Sequence, residues 1–142
     1  MASVIFRVSA LFAAQLAMGC GIDSSLIIRP SGVRPFQGEA AALEAEGERL
    51  WSDEGLSKNG DLSCNSCHLE FSSFESTFRE PYPHRVAMAE SKAGLKSVTA
   101  EQMVQFCLLM PMGRETALPW DSRELRALSL HVESLQREFS KR

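Results

Sequence analysis

The chain lacks a second pair of closely spaced cysteines. Of Cys20, Cys64, Cys67 and Cys107, only Cys64 and Cys67 stand three positions apart. That excludes the usual four-ligand zinc site built from two such pairs. No strand-like run precedes Cys64, so a thioredoxin-like thiol pair in a βαβ unit has no support either. Lys and Arg never cluster at the density of a nucleic-acid footprint, and acids and bases are interspersed at a net charge of −3, which is a solvated surface and no nucleic-acid partner. The apolar run Val8–Met18 is too short for a bilayer core, which needs roughly 20 residues. There are no repeats and no convincing strands. The fold class expected is all-α, with 142 residues giving room for one domain and a processing or linker segment.

The N-terminus has its own character. Arg7 is the only charge before the apolar run, and small residues with a cysteine, Gly19-Cys20, follow it. A weakly positive start, a short apolar stretch and a small-residue exit describe an export signal. Leu16-Ala17-Met18-Gly19-Cys20 also resembles a lipobox, although Ala17 stands where that pattern has leucine. Residues 1–19 are therefore expected to be a lipoprotein-type signal peptide, with Cys20 lipidated and the protein tethered to a membrane in the periplasm. If Cys20 is not lipidated, cleavage after Gly19 gives a soluble periplasmic protein. Residues 20–38, with Ser24, Ser25, Pro30, Gly32, Pro35 and Gly38, predict a flexible tether. The folded domain is expected over 39–142.

Within it, Glu39–Trp51 has helical spacing at Ala40, Leu43, Gly47, Leu50 and Trp51. Gly47 costs about 1 kcal/mol relative to alanine inside a helix and so needs a packing reason, such as a close helix crossing. Asn59-Gly60-Asp61 marks a turn, and residues 71–98 read as mostly irregular, broken by Pro81, Pro83 and Gly94. Thr99 with Gln102 forms a capping-box pattern for a helix over about 100–109, ended by Pro111. Asp121 or Ser122 caps a last helix whose buried stripe is Leu125, Leu128, Val132, Leu135 and Phe139.

Cys64-Asn65-Ser66-Cys67-His68 carries the chemistry. Two thiols at this spacing can each add to one vinyl group of a haem, and the adjacent histidine is then placed to ligate the iron. A disulfide across the same step would close a tight, strained loop. The cofactor expected is one covalent haem c, on Cys64, Cys67 and His68.

The surrounding residues carry a resemblance. Gly47-Glu48-Arg49-Leu50-Trp51, Leu56-Ser57-Lys58-Asn59-Gly60 and Leu62-Ser63-Cys64-Asn65-Ser66-Cys67-His68 resemble the N-terminal half of class I-type c-type cytochromes. Gln105-Phe106-Cys107, Pro111-Met112 and Leu118–Leu128 are similar to small cytochromes related to sulfur-compound oxidation. The resemblance covers about 39–138, with a poorly matched middle. It implies N- and C-terminal helices crossing beside the haem, with Gly47 at the crossing. His131 occupies the place of a family aromatic. The resemblance also implies a methionine as sixth iron ligand: Met112 on the narrower pattern, in which Cys107 precedes the ligand by five residues, or Met110 on the wider Met-Pro pairing.

Other residues compete or assist. His84 reads first as a loop or surface histidine, and alternatively as a sixth ligand. Cys107 reads as a small buried hydrophobe, with a thiolate ligand as the alternative. Met88 and Met103 fill core gaps or face the haem edge. Trp120, Phe71, Phe74 and Phe78 would wall the haem, and Arg34, Arg79, Arg85 and Arg114 are candidates for its propionates. The function expected is single-electron transfer with redox partner proteins through a His/Met iron, without catalysis. The alternative is a catalytic subunit, peroxidase-like or sulfur-oxidising, with an open or Cys/His-ligated iron.

Overall fold

The computed structural model describes residues 21–142. The expected signal peptide and Cys20 lie outside them. The fold is all-α: five helices and four short 3-10 turns follow one another, and among the described residues no strand forms.

Helix α1, Ala40–Trp51, begins where Glu39 turns its carboxylate onto the free N–H groups of Ala41 and Ala42, at 3.0 and 2.7 Å. Its inward face carries Leu43 and Gly47. Helix α2 is a little over one turn, Cys64–His68, entered through Ser63, whose N–H donates to the Ser66 hydroxyl at 3.0 Å. Helix α3, Ala87–Ala93, ends on Gly94, whose φ of 69° only glycine adopts freely. Helix α4, Ala100–Leu109, has the expected capping box of Thr99 and Gln102. Helix α5, Arg123–Phe139, is capped by Ser122, whose hydroxyl accepts the Leu125 N–H.

α1 crosses α5, and α4 packs on the same α5. The crossing explains Gly47: a Cβ built there would lie 2.1 Å from the Ala127 carbonyl oxygen and 2.8 Å from the Cβ of His131. Backbone meets backbone. The main core gathers Leu56, Phe78, Val104, Leu108, Met112, Leu125, Leu128 and Val132. A second, smaller core holds Ile27, Ala89, Val98 and Phe106.

Two segments differ from the expectation. α3 forms inside 71–98, where no periodicity predicts it, because the Glu75 carboxylate, twelve positions upstream, accepts the Ala87 N–H at 3.0 Å. The stretch read as a tether over 20–38 contains a 3-10 turn, Ser24–Ile27, docked on the body with Ile27 fully buried. Asp23 caps this turn, accepting the Ser25 N–H at 2.9 Å.

Candidate functional site

On α2, residues 64 and 67 are i and i+3, so their side chains emerge on one face. Both thiols line an open-mouthed cavity of about 330 Å³ between α1, α4, α5 and the 71–88 segment. Neither is in a disulfide. Burial pushes the Cys64 thiol up to about 11, so it is protonated at neutral pH. A redox-active thiol pair needs the opposite shift, and the thioredoxin-like reading loses further ground.

His68 closes α2 over the same cavity. Its Nδ1 lies 3.1 Å from the Ser72 carbonyl oxygen. A carbonyl can only accept, so Nδ1 carries the proton and Nε2 keeps a free lone pair. Burial lowers the His68 pKa, which favours the neutral ring a metal requires. The loop that supplies Ser72 is held in an unusual shape: Glu70, Phe71 and Ser73 all have positive φ, at 52°, 66° and 61°. Such residues cost of order 1–3 kcal/mol each, offset in part by the Ser72 hydroxyl, which donates to the Cys67 carbonyl at 2.9 Å.

Aromatic rings form the wall beyond His68. Its ring stacks on Phe74 at 4.2 Å, and Phe74 stacks on Phe78 at 3.9 Å. The Trp51 ring lies 5.7 Å from that of His68. Phe74, Phe78 and Trp51 line the cavity; Phe71 and Trp120 do not. Trp120 instead lies beneath the Arg29 guanidinium.

Of the two methionines ahead of α5, only Met112 reaches the cavity. It is 6 % exposed, and its backbone is tied at both atoms: the N–H donates to Cys107 O at 3.1 Å, and the carbonyl accepts from Lys58 N–H at 3.0 Å. Met110 packs against the second core. Met88, Met103 and Cys107 also line the cavity. Burial pushes the Cys107 thiol up to about 12, which keeps it a thiol and fits the buried-hydrophobe reading.

His84, expected on a loop or the surface, lies in the irregular stretch before α3, but it is 3 % exposed and lines the same cavity. Its backbone exchanges two hydrogen bonds with Val98, at 3.2 and 2.9 Å, and its ring stacks on Tyr82 at 4.1 Å. Neither ring nitrogen has a hydrogen-bond partner, nor does the buried hydroxyl of Thr77 beside the same space. Burial lowers the His84 pKa against the pull of the Glu80 and Glu75 carboxylates. Unpartnered buried imidazole is costly unless something in the cavity meets it. Arg34, Arg79, Arg85 and Arg114 do not line the cavity; Arg79 lies over Phe139 and Arg85 pairs with Glu90.

These residues fit a haem. Two thiols sit on one edge of an apolar space, a neutral imidazole offers a free Nε2, and a thioether and a second imidazole line the same space. The sequence holds one Cys-x-x-Cys-His motif. A family model described as di-haem cytochrome c peroxidase matches residues 41–136. No curated protein and no solved structure matches the chain.

Proposed function

The chain belongs to the di-haem cytochrome c peroxidase family, and from that premise we propose that it is a mono-haem electron carrier holding its cofactor through Cys64, Cys67 and His68. Family membership makes this a c-type cytochrome domain. A single haem is our reading of the single attachment motif, which departs from the family's two. Bound haem supplies the Fe(III)/Fe(II) couple for moving one electron.

Each residue has a task. Cys64 and Cys67 would hold the macrocycle by thioether bonds. His68 presents Nε2, and the Ser72 carbonyl holds the ring in that tautomer. Met112 would be the second donor to the iron, a soft thioether that would favour the reduced metal and raise its potential. Phe74, Phe78 and Val104 exclude water. The observation that carries the reading is that Met112, and not Met110, shares one cavity with His68 and both thiols. The test is the spectrum of the oxidised holoprotein: a methionine on ferric iron gives a weak far-red band, and its absence would remove Met112 from the iron.

A second reading, reduction of peroxide, is favoured by the family and by His84. A neutral imidazole and the Thr77 hydroxyl, both buried without partners, are groups able to accept and return a proton beside a bound substrate. Peroxide turnover by the purified holoprotein at rates above those of free haem would select it. The sulfur-oxidation likeness has support only from the C-terminal residues quoted above. We further propose export to the periplasm with a lipid on Cys20, on the strength of the N-terminal pattern, and transient contact with redox proteins.

A further inference from the structure

The segment after Cys20 is bound to the body along its length. Ile22 donates its N–H to the Lys92 carbonyl at 2.9 Å. Ile27 is fully buried in the second core. The Arg29 guanidinium pairs with Glu101 and lies over Trp120 at 5.6 Å. On either side of Ile27, Leu26 and Ile28 are 47 % and 45 % exposed. Ile22 attaches at Lys92, in the last turn of α3, and a second lysine, Lys96, follows four positions later. Both are exposed, and neither joins an ion pair among the described residues. Of the acids nearby, Glu90 pairs with Arg85 and Glu101 with Arg29, while Asp23 accepts from Ser25 and keeps its charge, leaving the two lysines in excess over one free carboxylate.

We propose that residues 21–29 are a rigid strut that seats the domain on an anionic phospholipid surface, with Leu26 and Ile28 entering the interface and Lys92 and Lys96 meeting lipid phosphates. The inference rests on the lipidated Cys20 proposed above. From Cys20 to Ile22 the chain spans at most about 7 Å, so an acylated Cys20 leaves almost no slack between bilayer and body. Basic side chains beside an anchor draw toward anionic headgroups, and two aliphatic side chains add apolar burial. The seating fixes which way the site looks. Met88 and Lys92 stand one turn apart on α3, and Met88, 45 % exposed, lines the cavity. The cavity rim therefore rests beside the membrane-facing edge, where a membrane-bound electron partner would meet it.

The test uses the exported Cys20→Ser holoprotein, which cannot carry the lipid, sedimented with vesicles of phosphatidylethanolamine with or without phosphatidylglycerol. It should partition onto the phosphatidylglycerol vesicles and lose that binding in high salt. The double variant K92E/K96E should bind about tenfold less, and L26S/I28S about tenfold less as well, each with unchanged helical circular dichroism. Equal partition of Cys20→Ser and both variants, or indifference to phosphatidylglycerol, would overturn the seating. The mass of membrane-extracted wild type reads lipidation separately: a chain without diacylglycerol refutes the anchor, whatever the vesicles show.

Discussion

Gly47 on α1 meets the Ala127 carbonyl of α5 so closely that a Cβ would stand 2.1 Å from that oxygen. The two helices are in backbone contact at this point, directly under the Trp51 that borders the cavity. Gly47→Ala should therefore destabilise the protein, by about 1–3 kcal/mol from overpacking, where an open helix position would gain about 1 kcal/mol. Chemical denaturation of wild type and variant measures the sign. A more stable alanine variant would mean the helices do not meet there.

Met112 and Met110 separate cleanly. Met112→Ala should abolish the far-red band of the oxidised protein and lower its potential, with haem still attached. Met110→Ala should leave both unchanged. A band that survives Met112→Ala would transfer the axial role to another donor, with His84 the nearest candidate by burial and want of a partner.

His84 should be held at a cost to stability. In the haem-free chain, His84→Phe removes an unpartnered buried polar group from a site already walled by Phe78 and Tyr82. Stability should rise by about 1–3 kcal/mol. A fall in the denaturation midpoint would show that the ring nitrogens have a partner after all.

Acid should weaken the haem-free fold. Burial lowers the pKa of His68, His84 and His131 below the ordinary 6.5. The unfolded chain then binds more protons than the folded one in the window beneath that value, so stability is full above it and is lost as pH falls through the folded values. Denaturation midpoints measured across that range should decline toward acid, and His84→Phe should flatten the decline. A midpoint that rises toward acid would contradict the burial of these rings.

Ile27 distinguishes a docked segment from a loose one. Ile27→Ala should cost about 2–5 kcal/mol as a fully buried position, and should expose residues 21–29 to proteolysis. An unchanged melting temperature and unchanged cleavage would return the segment to the tether expected from its composition.

Local signals gave most of the architecture. The capping box at Thr99 and Gln102, the cap at Ser122, the stripe from Leu125 to Phe139 and the costly Gly47 each mark an element or a contact found in the fold. What stayed hidden depends on distant partners. α3 is capped by Glu75 across an intervening loop, and His84 is drawn inside by pairing with Val98. Neither leaves a periodic trace. Ile27 is a single apolar anchor among serine, proline and glycine, and one side chain makes no pattern. The motif Cys64–His68 is legible from its spacing alone, and the family match supports a haem protein. The resemblance offers both Met112 and Met110, and the fold adds that Met112 lines the cavity while Met110 packs against the second core.

The most direct test is intact and peptide mass spectrometry of protein matured in a host that attaches c-type haem. The account predicts one haem per chain, borne by the peptide containing Cys64 and Cys67 and surviving denaturation. A mature chain carrying no haem, or one whose Cys64 and Cys67 are free thiols, would contradict it.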